Sequence, residues 1–285
     1  MGLLDGKVVV VTGGARGQGR AHAVCSAREG ADVVVMDIAD QIDTVEYDLA
    51  RPADLEETVR QVEALDRRAL GIVADVRSQQ QLDDGVARAI EELGQIDILI
   101  ANAGVLNFGS FWETSEAEWQ DMVDINLGGV WRSAKAVAPH MIERQTGSMV
   151  LISSVNGLEG AHNFAHYTAA KHGVVGLMRS MALELGPHGI RVNSIHPGGV
   201  SSPMLTDHQK AWDMMAGHPG GTEEEVKEAG FHYGILKGST FLPPEEIAQA
   251  ALWLNSDLAS AVTGVMLTVD SGHMLIPGLN PDPVR

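Results

Sequence analysis

The chain has 285 residues, 45% of them hydrophobic and 20% charged, with a formal net charge of −18. That length fills one sizeable core without requiring a second domain, and the acidic balance argues against nucleic acid and anionic membranes as partners. No run of about 18 apolar residues marks a membrane span, and the start, MGLLDGKVVVV, reads as a lead into a strand and not as a signal peptide. Cys25 is the single cysteine, so no intrachain disulfide is expected, which suits a reducing cytoplasm.

The first predicted strand, KVVVVTG, runs into TGGARGQGRAHA. Thr12, Gly13, Gly17 and Gly19 follow the strand and open a helix, with Arg16 and Gln18 among them. Glycines there permit a tight turn and let backbone N–H groups approach a pyrophosphate at a positive helix end. The second strand, ADVVVMD, ends at Asp37, 18 residues past Gly19, with Ile38 next. A carboxylate at that point accepts hydrogen bonds from adenosine ribose hydroxyls and repels a 2′-phosphate, which points to NAD as cofactor.

Residues 40–52, DQIDTVEYDLARP, carry four acidic residues, one basic residue and no clean helical or strand period. Connecting loops usually take about 2–6 residues, so the 38 positions from Asp37 to Asp75 contain an insertion. ARPADLEETVRQVEAL then begins a helix, with Pro52 early and Leu55, Val59 and Val62 on one face. The third strand, GIVADV, brings Asp75 and Val76 to its end. QQQLDDGVARAIEELG is helical, with Leu82, Val86, Ile90 and Leu93 aligned.

The fourth strand, IDILIANAG, ends in Asn102, Ala103 and Gly104, and DINLGG places Asn126 on a later helix. The fifth, GSMVLISS, delivers Ser154. In HYTAAKHG, Tyr167 and Lys171 stand four apart on one helix face. The sixth, IRVNSIHPG, leads through Pro197, Gly198, Val200, Ser202 and Met204 into residues 201–241, rich in Gly, His, Met and charge. A long irregular segment of this kind reads as a partly helical substrate lid. GVMLTVDSG is the seventh strand. Near-continuous β-branched strands alternating with helices predict a single-domain, doubly wound α/β fold, a parallel seven-stranded sheet of Rossmann type with helices on both faces.

Removing hydride from an alcohol carbon requires a base for the hydroxyl proton, and an unperturbed tyrosine, titrating near pH 10, needs help to serve at neutrality. The Lys171 ammonium, with a positive nicotinamide nearby, should favour the Tyr167 phenolate. His162 and His166 are four apart but lack any HExxH pattern or Cys/His cluster, so no metal is expected. His166 instead becomes a candidate pocket wall. Met204, Leu205, Trp212, Met214 and Met215, with Leu106, Phe108 and Trp112, form a candidate apolar substrate pocket.

TGxxxGxG, Asn102-Ala103-Gly104 and the spacing of Asn126, Ser154, Tyr167 and Lys171 resemble the classical short-chain dehydrogenases/reductases, from about Gly6 to Gly272. The resemblance implies an Asn-Ser-Tyr-Lys catalytic tetrad, in which Ser154 holds the substrate oxygen and Asn126 anchors a water path. It also implies that Lys171 bonds the nicotinamide ribose, that Asp75 and Val76 contact adenine, and that Pro197 and Gly198 form the turn beside the nicotinamide. Ser202 stands where many relatives have threonine, and Ala101 where they have asparagine. Arg16 is a counter-signal, because a basic residue in this loop favours NADP in some members; a solvated arginine is the plainer reading. A homotetramer is implied, with faces from the long helices near Asn126 and Tyr167 and from the C-terminal strand; the tail after Leu275 and Ile276 would pack on a neighbouring subunit.

The insertion, with GARGQGRAHA, ANAG and HYTAAKHGVVGLMR, looks like the mycofactocin-associated branch that includes carveol-dehydrogenase-like enzymes. That branch implies an NAD that stays bound, covered on its adenosine half by the insertion, with electrons passing to mycofactocin. A secondary, cyclic terpenoid alcohol oxidised to a ketone is then the expected chemistry. Two other readings stay open: an NAD(H)-exchanging reductase of a 3-oxoacyl, steroid or sugar carbonyl, and a dinucleotide-sensing protein without turnover.

Overall fold

The computed structural model describes residues 2–276, 281, 283 and 284. Seven strands form one parallel sheet: β1 (Val8–Thr12), β2 (Asp32–Asp37), β3 (Ala69–Val73), β4 (Ile98–Ala101), β5 (Gly147–Ile152), β6 (Ile190–Pro197) and β7 (Met266–Val269). Their spatial order is β3-β2-β1-β4-β5-β6-β7. The order reverses direction at β1, where the chain leaves for β2 and later returns to β4. Such a reversal opens a crevice at the carboxyl ends of the strands.

The two-residue period of each strand sorts its side chains into two cores. Val8 and Val10 of β1, Val34 and Met36 of β2, and Met149 and Leu151 of β5 lie on one face. Val9 and Val11, Val33 and Val35, and Val150 and Ile152 lie on the other. Both faces are covered, which is why the strands read as unbroken apolar runs. Each fully buried aliphatic side chain contributes about 1.5–3 kcal/mol.

Helices α1 (Gly17–Arg28) and α2 (Pro52–Glu63) follow β1 and the insertion, and α3 (Gln79–Leu93) follows β3. After β4 come α4 (Glu116–Val123), α5 (Val130–Arg144) and, beyond β5, α6 (Ala165–Leu185). Leu82 and Val86 of α3, Val137 and Met141 of α5, and Val174 and Met178 of α6 fill the first core. Ala23 and Ala27 of α1 and Leu55 and Val62 of α2 fill the second. Between α4 and α5 the helix widens into a π-helical segment, Asp124–Gly129, which carries Asn126; such bulges often sit at functional sites.

The segment expected to be a lid folds as α7 (Pro203–Thr206), α8 (Gln209–Ala216) and α9 (Glu223–Phe231), and α10 (Pro244–Asn255) precedes β7. No helix among the described residues is long and apolar enough to cross a membrane. Asp75 and Val76 lie just past β3, which ends at Val73 and not at Val76 as the sequence suggested. The proline-rich tail expected to pack on a neighbour falls partly on residues 277–280, 282 and 285, outside the described residues.

Candidate active site

The turn after β1 takes its shape from its glycines. Gly13 and Gly17 adopt left-handed backbone, φ +64° and +53°. A Cβ at Gly19 would lie 1.9 Å from the Gly13 carbonyl oxygen, so only glycine lets α1 start this close to the strand. Thr12 Oγ1 accepts from the Asn102 and Ala103 N–H groups at 3.2 and 3.3 Å, and Asn102 Nδ2 donates to the Thr12 and Gly13 carbonyls at 3.1 Å. The β1 and β4 loops are thereby one unit. Because the Gly13 backbone cannot yield, Gly19→Ala is expected to lower the thermal unfolding midpoint by about 5 °C, measurable by calorimetry; an unchanged midpoint would contradict the close approach.

No side chain caps α1, and no acidic residue lies in its first turn. Its positive end therefore faces the crevice uncompensated. Gln18 Oε1 is buried there with no hydrogen-bond partner. Asp37, 8% exposed, accepts from the Ala15 N–H and the Ala39 N–H at 3.0 Å each. Burial pushes its carboxyl up, against the pull of those two N–H groups.

The insertion is a folded strap. Gln41 Nε2 donates to the carbonyls of Ile42, Val45 and Tyr47 at 3.3, 3.0 and 3.2 Å, and its Oε1 accepts from the Leu49 N–H at 2.9 Å. Ile42, Val45 and Tyr47 are buried in the first core and Ala50 in the second. The strap thus crosses the strand ends from one face of the sheet to the other. Arg16 donates to the Asp48 carbonyl, so it is no free solvated arginine: it ties the glycine loop to the strap. Arg77 pairs with Asp75 at 2.7 Å and with Asp121 at 2.8 Å, and Thr44 Oγ1 donates to Asp121 at 2.7 Å. Asn107 Nδ2 donates to the Thr44 carbonyl at 2.6 Å. Toward the lid, Lys210 pairs with Glu46 at 2.8 Å and the Tyr47 ring packs on His208, 4.8 Å between centroids. The strap therefore reaches the loop after β4 and the helical segment after β6.

At the other end, Lys171 Nζ donates to the Ile152 carbonyl at 2.9 Å and lies 5.6 Å from the Tyr167 ring centroid. The Tyr167 hydroxyl lies beside Ser154. His196, fully buried on β6, engages the Ser154 carbonyl through Nδ1 and the Ser194 hydroxyl through Nε2, both at 2.8 Å. Burial pushes the Tyr167 hydroxyl up to about 12, Ser154 opposing it, and pushes Lys171 down to about 8. In the chain alone, then, desolvation outweighs the help that Ser154 gives the phenolate. Asn126 is saturated: Oδ1 accepts from the Val105 N–H and Nδ2 donates to the Val105 carbonyl, both at 2.8 Å. It braces the loop after β4, and a Cβ at Gly104 would touch its Oδ1 at 2.8 Å.

One cleft, about 1050 Å³ of empty space including its mouth, joins these parts. Gly13, Arg16, Gly17, Gln18, Gly19, Asp37, Ile38, Asp75, Val76, Asn102, Ala103, Gly104, Tyr167, Lys171, Ser202 and Met204 all line it. Asn126, Ser154, Pro197, Gly198 and Val200 are not on its wall: Asn126 binds Val105, Ser154 adjoins the Tyr167 hydroxyl, Gly198 abuts Asp270, and Val200 pairs with Leu242. His166 is buried off the cleft. Of the expected apolar pocket, Phe108, Leu205, Leu106, Trp212 and Met215 do cluster, joined by Phe164 and Phe241. Trp112 and Met214 are solvent-exposed, at 72% and 37%, and stand outside it. Ile42, Tyr47, Leu49 and Ala50 also line the cleft and were missed as site residues. Their signal was apolar side chains persisting in an acidic, aperiodic stretch.

A glycine-turn crevice at the sheet's reversal, continuous with a Tyr–Lys pair on α6, defines a Rossmann-type oxidoreductase site. The sequence profile of the short chain dehydrogenase family matches residues 7–212, and the chain belongs to that family. It is 40% identical over 277 residues to the (-)-trans-carveol dehydrogenase of Rhodococcus erythropolis, covering 96% of this chain and 100% of that one. A short-chain type dehydrogenase/reductase of Mycolicibacterium smegmatis is 44% identical over 279 residues, covering 96% and 99%. The structure superposes on carveol dehydrogenase from Mycobacterium avium, solved in complex with NAD, with TM-score 0.92 and 40% identity over 97% of this chain and 100% of that one.

Proposed function

We propose that this chain is an NAD-dependent dehydrogenase that oxidises a secondary alcohol of the cyclic terpenoid kind to a ketone, holds its NAD between turnovers, and passes the electrons on to mycofactocin. The single observation that carries this reading is that the glycine turn, Asp37, Tyr167 and Lys171 line one cleft, with a folded strap across it. The residues fit NAD: an uncapped helix start for the diphosphate, the unpartnered Gln18 Oε1, and a carboxylate that opposes a 2′-phosphate. The named relatives, carveol dehydrogenases of Rhodococcus erythropolis and Mycobacterium avium, support the substrate class.

Bound NAD supplies the hydride acceptor. Tyr167 takes the alcohol's hydroxyl proton, and Ser154 holds the same oxygen. Lys171, charged at neutral pH, holds a ribose hydroxyl and lowers the cost of the phenolate. Asn126 keeps Val105 in place beneath them. The apolar cluster of Phe108, Leu205 and Trp212 receives the rest of the alcohol. A cytoplasmic homotetramer completes the reading: Trp119, Trp131 and Leu183 of α4, α5 and α6 are 43%, 46% and 81% exposed, surface that subunit contacts would cover.

The purified protein should release NAD on denaturation, detected by mass. With added NAD as sole acceptor, alcohol oxidation should be slow, and an artificial electron acceptor should restore it. Free exchange of NAD during turnover would sink the retention claim. Light scattering should give four times the 30.4 kDa chain mass.

A further inference from the structure

Tyr47 is 4% exposed and lines the cleft although it belongs to the strap. Its hydroxyl accepts from the Leu106 N–H at 3.3 Å. The hydroxyl's own proton has no acceptor among the described residues. A buried O–H donor that faces a cavity unpaired is costly unless something in the cavity accepts from it. Its place along the cleft narrows what that is. Arg16 and Gly17 line the cleft toward the glycine turn, and Tyr167 and Lys171 toward the reacting end. On the lid side its ring is covered by His208, which packs on Phe108 at 5.0 Å, and Phe108 packs on Phe164 at 5.0 Å. Leu106, Phe108, Phe164 and His208 do not line the cleft, whereas Tyr47 does, beside the glycine turn and Asp37, so Tyr47 faces the dinucleotide part of the cleft.

We propose that Tyr47 is a dinucleotide-binding residue, donating its hydroxyl proton to an oxygen of the bound dinucleotide between the glycine turn and Tyr167. The proposal rests on the NAD reading above. The strap then does more than obstruct the exit: it holds the cofactor by a direct hydrogen bond in mid-cleft, and the lid's His208 keeps that ring oriented.

The test is exchange of the NAD carried by the purified protein for isotopically labelled NAD, followed by mass. Tyr47→Phe keeps the ring and its packing and loses the O–H. Exchange should become about tenfold faster, the loss of one hydrogen bond, with the alcohol KM measured against a dye acceptor unchanged. The same change also deprives the Leu106 N–H of its acceptor, so Asn107→Ala serves as the control: it cuts another tether of the strap, to Thr44, at a residue off the cleft wall. Asn107→Ala should speed exchange much less. Equal acceleration in both variants would mean that tethering alone matters and would overturn the proposal. So would unchanged exchange in Tyr47→Phe, or a raised alcohol KM without faster exchange. If the unsubstituted protein neither carries nor binds NAD, the NAD reading itself fails, and this proposal falls with it.

Discussion

Replacing Tyr167 by phenylalanine is expected to cut alcohol oxidation by about 10²–10⁴-fold, the usual contribution of a positioned general base, while NAD stays bound. The ring survives, so its contact with Phe164, 6.0 Å between centroids, and its place against the core persist. What goes is the hydroxyl beside Ser154. The pH profile separates this role from a structural one. Burial pushes that hydroxyl up to about 12, so little phenolate exists at neutrality and turnover of the unsubstituted enzyme should climb with rising pH. Lys171, pushed down to about 8, loses its charge above that pH and with it the pull on the phenolate, which should flatten the climb. In the phenylalanine variant the climb should vanish altogether. Rates measured by dye reduction across pH 6–10 decide it, and an undiminished rate or a preserved climb would remove Tyr167 from the role of base.

The sheet was readable because a parallel strand covered on both faces has to be apolar along its length, and only such runs separate the helices here. The cleft's glycine turn was readable for a related reason: a Cβ at Gly19 would lie 1.9 Å from a carbonyl oxygen, so the position takes only glycine. The roles of Asn126 and Arg16 were less legible. Nothing in DINLGG says that the amide is consumed by both backbone groups of Val105, since that depends on where the loop after β4 passes. Nor does GARGQG show that its arginine reaches a carbonyl 32 residues away in a stretch without period. The strap hid for the same reason. Much of its internal order comes from Gln41 bonding its own backbone neighbours, and such local pairing leaves no hydrophobic period to read. Likewise Trp112 and Phe108, both aromatic in VLNFGSFW, differ only in which side of the loop they leave from: one is 72% exposed and the other 7%.

The strap's dependence on Gln41 leads to an expectation of opposite sign. Gln41→Ala removes the amide whose two N–H groups are shared among the Ile42, Val45 and Tyr47 carbonyls and whose oxygen accepts from the Leu49 N–H; the Ile42 carbonyl keeps the Val45 N–H, while the others lose that partner. A buried polar group left unpaired costs about 1–3 kcal/mol, so the strap should populate open forms that the native side chain suppresses. The sheet and the Tyr167–Lys171 pair lie outside that change, and the strap gives the two cores only Ile42, Val45, Tyr47 and Ala50 among the buried residues, so opening is local and not global unfolding. Retained NAD should then exchange about 10–100-fold faster. Where slow exchange limits turnover with free NAD, the variant should be the faster enzyme with NAD as sole acceptor, and no faster with a dye acceptor. Glu46→Ala offers a contrast on the same strap: its pair with Lys210 is about half-exposed, and such pairs are worth about 0–1 kcal/mol, so exchange should hardly move. Labelled-NAD exchange and the two acceptor assays on both variants measure this. Exchange in Gln41→Ala as slow as in the unsubstituted protein would show that the strap does not retain the cofactor, because the bonds that order it would have been removed without consequence.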